Sequence, residues 1–125
     1  MKSKLLLAAV LCLAVVSCDL FESQKFGDII MVDGPRYEDG DTTFSFVGTV
    51  RNVGNGKALF VRVIMHLRNP DDISLAQASK LVDKTDLEPG ESSAWRVTFD
   101  DETRDLRDLM DESKTEYDIT WSEED

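Results

Sequence analysis

"GTVRNVGNGKALFVRVIMHL", Gly48 to Leu67, holds two alternating runs around a centre of glycine and asparagine, and its reading decides the fold. In the second run, which continues to Arg68, Leu59, Val61, Val63, Met65 and Leu67 fall on one side of an extended chain. Phe60, Arg62, Ile64, His66 and Arg68 fall on the other. A period of two is the signature of a β-strand, because successive side chains point to opposite faces of a sheet. The first set is expected in the core. The first run starts upstream, where Phe44, Phe46, Gly48 and Val50 alternate with Thr43, Ser45, Val47 and Thr49. Between the two runs, Asn52 to Lys57 carries residue types that accept positive φ and is predicted to be a hairpin-type turn.

Similar segments follow on both sides. "DIIMV" (28–32) is a short apolar run before the turn signal Asp33-Gly34-Pro35, and "EDGD" (38–41) is a second turn signal. "NPDD" (69–72) ends the long strand. Residues 73–84 fit either a short helix or an edge strand, and a strand is favoured in the second half. Pro89-Gly90 makes a tight turn before Trp95, Val97 and Phe99 alternate with Arg96 and Thr98. Leu106, Leu109 and Met110 recur at helical spacing in an acidic stretch, with Arg104/Asp108 and Arg107/Asp111 placed for i,i+4 ion pairs. A short connecting helix is expected there. Tyr117, Ile119 and Trp121 form a last inward-facing strand. The expected fold is all-β, an antiparallel sandwich of about seven strands with one short helix, over residues 28–121 and followed by an acidic tail at 122–125.

The spacing of "GTVRNVGNGKALFVRVIMHL", "LEPGESSAWRVTF" and "YDITW" is similar to the FxLYD type of bacterial Ig-like domain. The resemblance spans about residues 28–121. Where that family carries its F-x-L-Y-D signature, this chain reads Met65-His66-Leu67-Arg68-Asn69 and keeps only the leucine. The resemblance implies an Ig-like sandwich on an exported or membrane-anchored bacterial protein, and it supplies no catalytic residues.

Residues 1–17 read as a signal peptide: Lys2 and Lys4 precede an apolar run from Leu5 to Val16, which is too short to span a bilayer. Three endings are open. Val15-Val16-Ser17-Cys18 resembles the bacterial lipobox, which implies cleavage before Cys18 and a diacylglyceryl thioether on its sulfur. The small residues Val15 and Ser17 would also suit ordinary cleavage and free secretion, and retention as an anchor is the third ending. The lipid reading is preferred because the cysteine stands where the lipid is attached. Residues 18–27 then become a tether that keeps the domain at a bacterial membrane, inner or outer, with the domain outside the cytoplasm. Cys12 leaves with the signal, so the folded domain holds no thiol and no disulfide.

Without residues 1–17 the 14 bases fall to 12 against 25 acids, a net charge of −13. Nucleic acid is not an expected partner of so acidic a chain. His66 is the sole histidine, and no G-x-S-x-G elbow accompanies it. The acid clusters Asp39/Asp41, Asp71/Asp72 and Asp100/Asp101/Glu102 do not match an EF-hand loop, and Gly48, Gly54 and Gly56 open no P-loop. Neither metal, cofactor nor enzymatic activity is expected. Phe60, Arg62 and Ile64 are the candidate contact patch. The expected role is contact with an envelope protein, or a structural part in an envelope complex; a membrane-displayed module for carbohydrate, a small ligand or calcium is the alternative.

Overall fold

The computed structural model describes residues 25–123; the expected signal peptide, Cys18 and most of the expected tether lie outside the described residues. Six strands form two three-stranded antiparallel sheets. They are β1 (Ile29–Asp39), β2 (Thr43–Asn52), β3 (Ala58–Arg68), β4 (Ser74–Leu81), β5 (Ser92–Asp100) and β6 (Glu116–Glu123). A five-residue helix, α1 (Asp105–Leu109), and a 3₁₀ turn at Glu112–Lys114 connect β5 to β6. One sheet has the order β1-β2-β5 and the other β4-β3-β6.

The fold is the expected all-β sandwich, with six strands instead of about seven. The difference lies in Asp33-Gly34-Pro35, which does not end a strand. Register shifts on either side of Asp33 let β1 bulge there and continue along β2 as far as Asp39. Gly34, at φ 86, supplies the left-handed backbone that the bulge needs. The ambiguous stretch 73–84 is a strand, β4, but over Ser74–Leu81, mostly in its first half instead of its second: it pairs along β3 from Arg62/Leu81 to Arg68/Ser74, and residues 82–84 lie beyond the strand. Strand β6 runs two residues beyond Trp121, to Glu123.

The core lies where the alternation put it. Phe44, Phe46 and Val50 of β2, Val61, Val63, Met65 and Leu67 of β3, and Trp95, Val97 and Phe99 of β5 are all buried. Tyr37, Phe44, Phe46 and Phe99 form an aromatic cluster, with Phe44 stacked on Phe99 at 5.2 Å between centroids. Gly48 is opposite Trp95, and a Cβ there would stand 2.9 Å from the indole nitrogen, so the close approach requires glycine. One core expectation is corrected. Between Leu59 and Arg62 the β3/β6 register slips by one residue, so Ala58 faces inward and Leu59 is only half-buried.

The two ends of the sandwich are unlike. The upper end gathers the β1–β2 turn, the β3–β4 turn and the α1 region. The lower end gathers residues 25–28, the 52–57 turn and the 82–91 connection. Asn52, fully buried, pins this lower end. Its Oδ1 accepts from the backbone of Asp28 (3.1 Å) and Gly54 (2.9 Å), and its Nδ2 donates to the carbonyls of Gly56 (2.8 Å) and Leu87 (2.9 Å). Residues 26 and 27, expected to close the tether, are tied down here too: the Phe26 N–H donates to Asn55 and the Gly27 N–H to Glu123.

Candidate functional site

The upper end carries the densest polar chemistry. Arg107, whose side chain is 5% exposed, points out of α1 into the β1–β2 turn. Its Nε donates to Asp101 Oδ2 (2.9 Å), its Nη1 to Asp39 Oδ1 (2.8 Å) and the Gly40 carbonyl, and its Nη2 to the carbonyls of Asp101 (2.8 Å) and Asp41 (3.2 Å). The guanidinium also sits 5.7 Å from the centre of the Phe44 ring. Asp101, 3% exposed at its side chain, caps α1 by accepting from the N–H groups of Leu106 (3.0 Å) and Arg107 (2.9 Å).

These contacts set the charge states. The Arg107 hydrogen bond, followed by that from Tyr37, lowers the Asp39 carboxyl from 3.8 to about 2. For Asp101, burial is the largest influence and pushes upward, but the two backbone N–H groups and the guanidinium together hold it below its ordinary value. Every donor of Arg107 has an acceptor, so the cluster fastens α1 and the β1–β2 turn to the sandwich. The i,i+4 pairs expected on the helix do not form: Arg107 turns to Asp101 and Asp39, and Arg104 reaches Asp39 (3.4 Å). The helix is also shorter than its apolar spacing suggested. Leu106 and Met110 pack on the core, and Leu109 is exposed.

His66 lies on the outer face of β3, with Nε2 2.9 Å from Asp118 of β6. Beside it Arg68 pairs with Glu116 (3.4 Å) and Asp72 (3.8 Å). Among the described residues no group of three or more histidine, cysteine, aspartate or glutamate side chains is arranged to hold a metal ion. None of their helices is long and apolar enough to cross a membrane.

The three candidate contact residues stand in different surroundings. Arg62 and Ile64 occupy the outer face of β3, half-buried, with Arg62 donating to the Ser79 hydroxyl (3.1 Å) and Ile64 between Ser79 and Asp118. Phe60 lies at the β3 bulge, 62% exposed, at φ 54. Its N–H donates to Asp86 Oδ1 (3.1 Å), which helps hold a conformation that non-glycine residues seldom adopt.

An apolar surface that the periodicity did not reveal lies between β1 and β6. These are the edge strands of the two sheets on one flank of the sandwich, and their mutual contact is sparse, whereas β4 and β5 close the opposite flank. A cleft of about 400 Å³ opens there, lined by Ile29, Ile30, Met31, Tyr117, Ile119 and Trp121 with Asp118. Tyr117 and Ile119 do face the other sheet, as their alternation requires, but Tyr117 remains 41% exposed because among the described residues β6 is the edge strand of its sheet. The unbroken apolar run Ile29–Val32 was the available signal, since a strand with one solvated face would alternate.

Comparison with models of protein families, with characterised proteins and with solved structures finds no match.

Proposed function

We propose that this chain is a bacterial lipoprotein, held at a membrane by a lipid on Cys18, whose sandwich acts outside the cytoplasm as a non-enzymatic module contacting an envelope protein. The observation that carries the reading is the basic start, the 12-residue apolar run Leu5–Val16 and the small residues leading to Cys18. The FxLYD resemblance and the absence of any cysteine after position 18 are in keeping with it. The sandwich contributes a second support. Its buried ionisable cluster at Arg107 and Asp101 is closed by internal ion pairs, while an apolar cleft lies open between two edge strands, a surface suited to protein contact.

The mechanism is display. Acyl chains contribute about 0.8 kcal/mol of membrane affinity per buried methylene, so two or more chains hold durably. Confinement to a surface raises the effective concentration of the module for any partner in the same membrane. Cys18→Ala tests the reading: incorporation of a fatty-acid analogue is expected to be lost and uncut precursor to accumulate. Normal processing of the variant would contradict it.

A further inference from the structure

We infer that the lower end of the sandwich rests on the bilayer, with Phe26, Val53 and Phe60 entering the headgroup layer of the membrane that carries the lipid. The inference rests on the lipid reading above. It adds an orientation and a surface.

Three observations carry it. The first is reach. Seven residues, 18–24, separate the start of the mature chain from the described residues, and n residues span at most about 3.4 Å each, so Lys25 lies within roughly 24 Å of the lipidated sulfur. The eleven residues of β3 give the sandwich a length of about 36 Å at 3.3 Å per residue. Lys25 and Phe26 are packed against the 52–57 turn, at the lower end. A tether shorter than the domain, joined at that end, keeps the upper end away from the bilayer.

The second observation is apolar exposure at the same end. Phe26 is 57% exposed, Val53 48% and Phe60 62%. Phe26 and Val53 are set in neighbouring backbone, the Gly56 N–H donating to Phe26 O (3.0 Å) and the Val53 N–H to Asp28 O (2.8 Å), while Phe60 stands two residues into β3 against the 82–91 connection, its N–H donating to Asp86. Phe60 is held outward at a positive φ, a costly conformation for a phenylalanine that buries little within the domain. Aromatic and aliphatic side chains placed in this way suit the interfacial layer of a membrane.

The third is charge. Around the upper end, residues 39–41, 69–73 and 100–115 hold eleven acids and three bases. Around the lower end, residues 25–28, 51–57, 82–91 and 122–123, with the two acids Glu124 and Asp125 that follow in the sequence, hold eight acids and four bases, with Lys57 paired to Glu88 and Lys84 to Glu91. An anionic bilayer repels the first end more than the second, so the electrostatic preference and the tether agree.

The test uses the full lipidated chain, purified from membranes and reconstituted in phosphatidylcholine vesicles containing a nitroxide-labelled lipid. Cys18 is blocked by its thioether, so Val53→Cys, Phe60→Cys and Ile73→Cys each accept one polarity-sensitive fluorophore. Ile73 is 59% exposed at the opposite end and reports the unbound condition. Reporters at 53 and 60 are expected to shift to the blue and to be quenched at least about twofold more than the one at 73, as side chains in the headgroup layer would be. Equal quenching at the two ends overturns the inference. If the protein still floats with the vesicles, the lipid reading survives that result. An intact mass without the lipid removes both.

Discussion

At the residue scale, Asn52, expected to open a hairpin-type turn, instead ends β2 where the chain crosses to the other sheet, since β2 and β3 do not pair, and it takes on a larger task there. Its side chain is enclosed at the meeting of three chain segments and spends every donor and acceptor on backbone groups. Truncation would leave buried N–H and carbonyl groups unpaired, at about 1–3 kcal/mol for each one that water cannot reach. Asn52→Ala is therefore expected to lower unfolding stability by about 3 kcal/mol in urea titration; a loss below about 1 kcal/mol would show that water replaces the side chain. Arg107 plays the corresponding part at the upper end, and its partners make stability depend on acid. The carboxyls of Asp39, Asp101 and Asp111 are all depressed in the folded chain, Asp111 chiefly by the Ser113 hydroxyl. A depressed carboxyl stabilises fully above its unfolded value, here 3.8, and that stabilisation is lost as pH falls through the folded value, about 2 for Asp39. The melting midpoint is expected to drop across this window, and Arg107→Met to flatten the drop. An equally steep fall in the variant would place the acid sensitivity elsewhere.

At the scale of elements, what the sequence revealed depended on where each residue's partners lie. Period two located β2, β3 and β5 because each has one face on the core, and burial selects alternation there whatever the rest of the chain does. Bulges were not legible in the same way. Asp33-Gly34-Pro35 has the composition of a turn, and only its register against Val47–Thr49 makes it an interruption within one strand. The slip at Leu59–Phe60 is set by the facing residues of β6 and by the 85–87 segment, both distant in sequence. Arg107 was legible as a charged helix residue, but its choice of Asp39, 68 residues away, over Asp111 follows from tertiary packing. The face assignment of β3 can be tested directly. Met65 is fully buried opposite Ala78 and Tyr117, so Met65→Asp places an unpaired charge in the core and should cost about 4 kcal/mol or more. Ile64→Lys, on the outer face beside Asp118, should change stability by less than about 1 kcal/mol. The reverse order of effects would invert the strand.

At the scale of the whole molecule, a thiol-free core, an acidic upper end and a less acidic lower end exposing Phe26, Val53 and Phe60 form one arrangement around the proposed tether. The core must hold without a disulfide, which explains the reliance on enclosed pins such as Asn52 and Arg107. On the proposed reading the acids crowd the end that a short tether would keep from the lipid, and the open β1/β6 flank stands to the side, where an envelope protein would reach it. That reading depends on a thioether at position 18. The most direct measurement is the intact mass of the native protein extracted from membranes. The expected result is a chain beginning at Cys18 and heavier than its residues by a diacylglyceryl group, with or without a further acyl chain; a bare thiol at Cys18, or a chain still beginning at Met1, would contradict it.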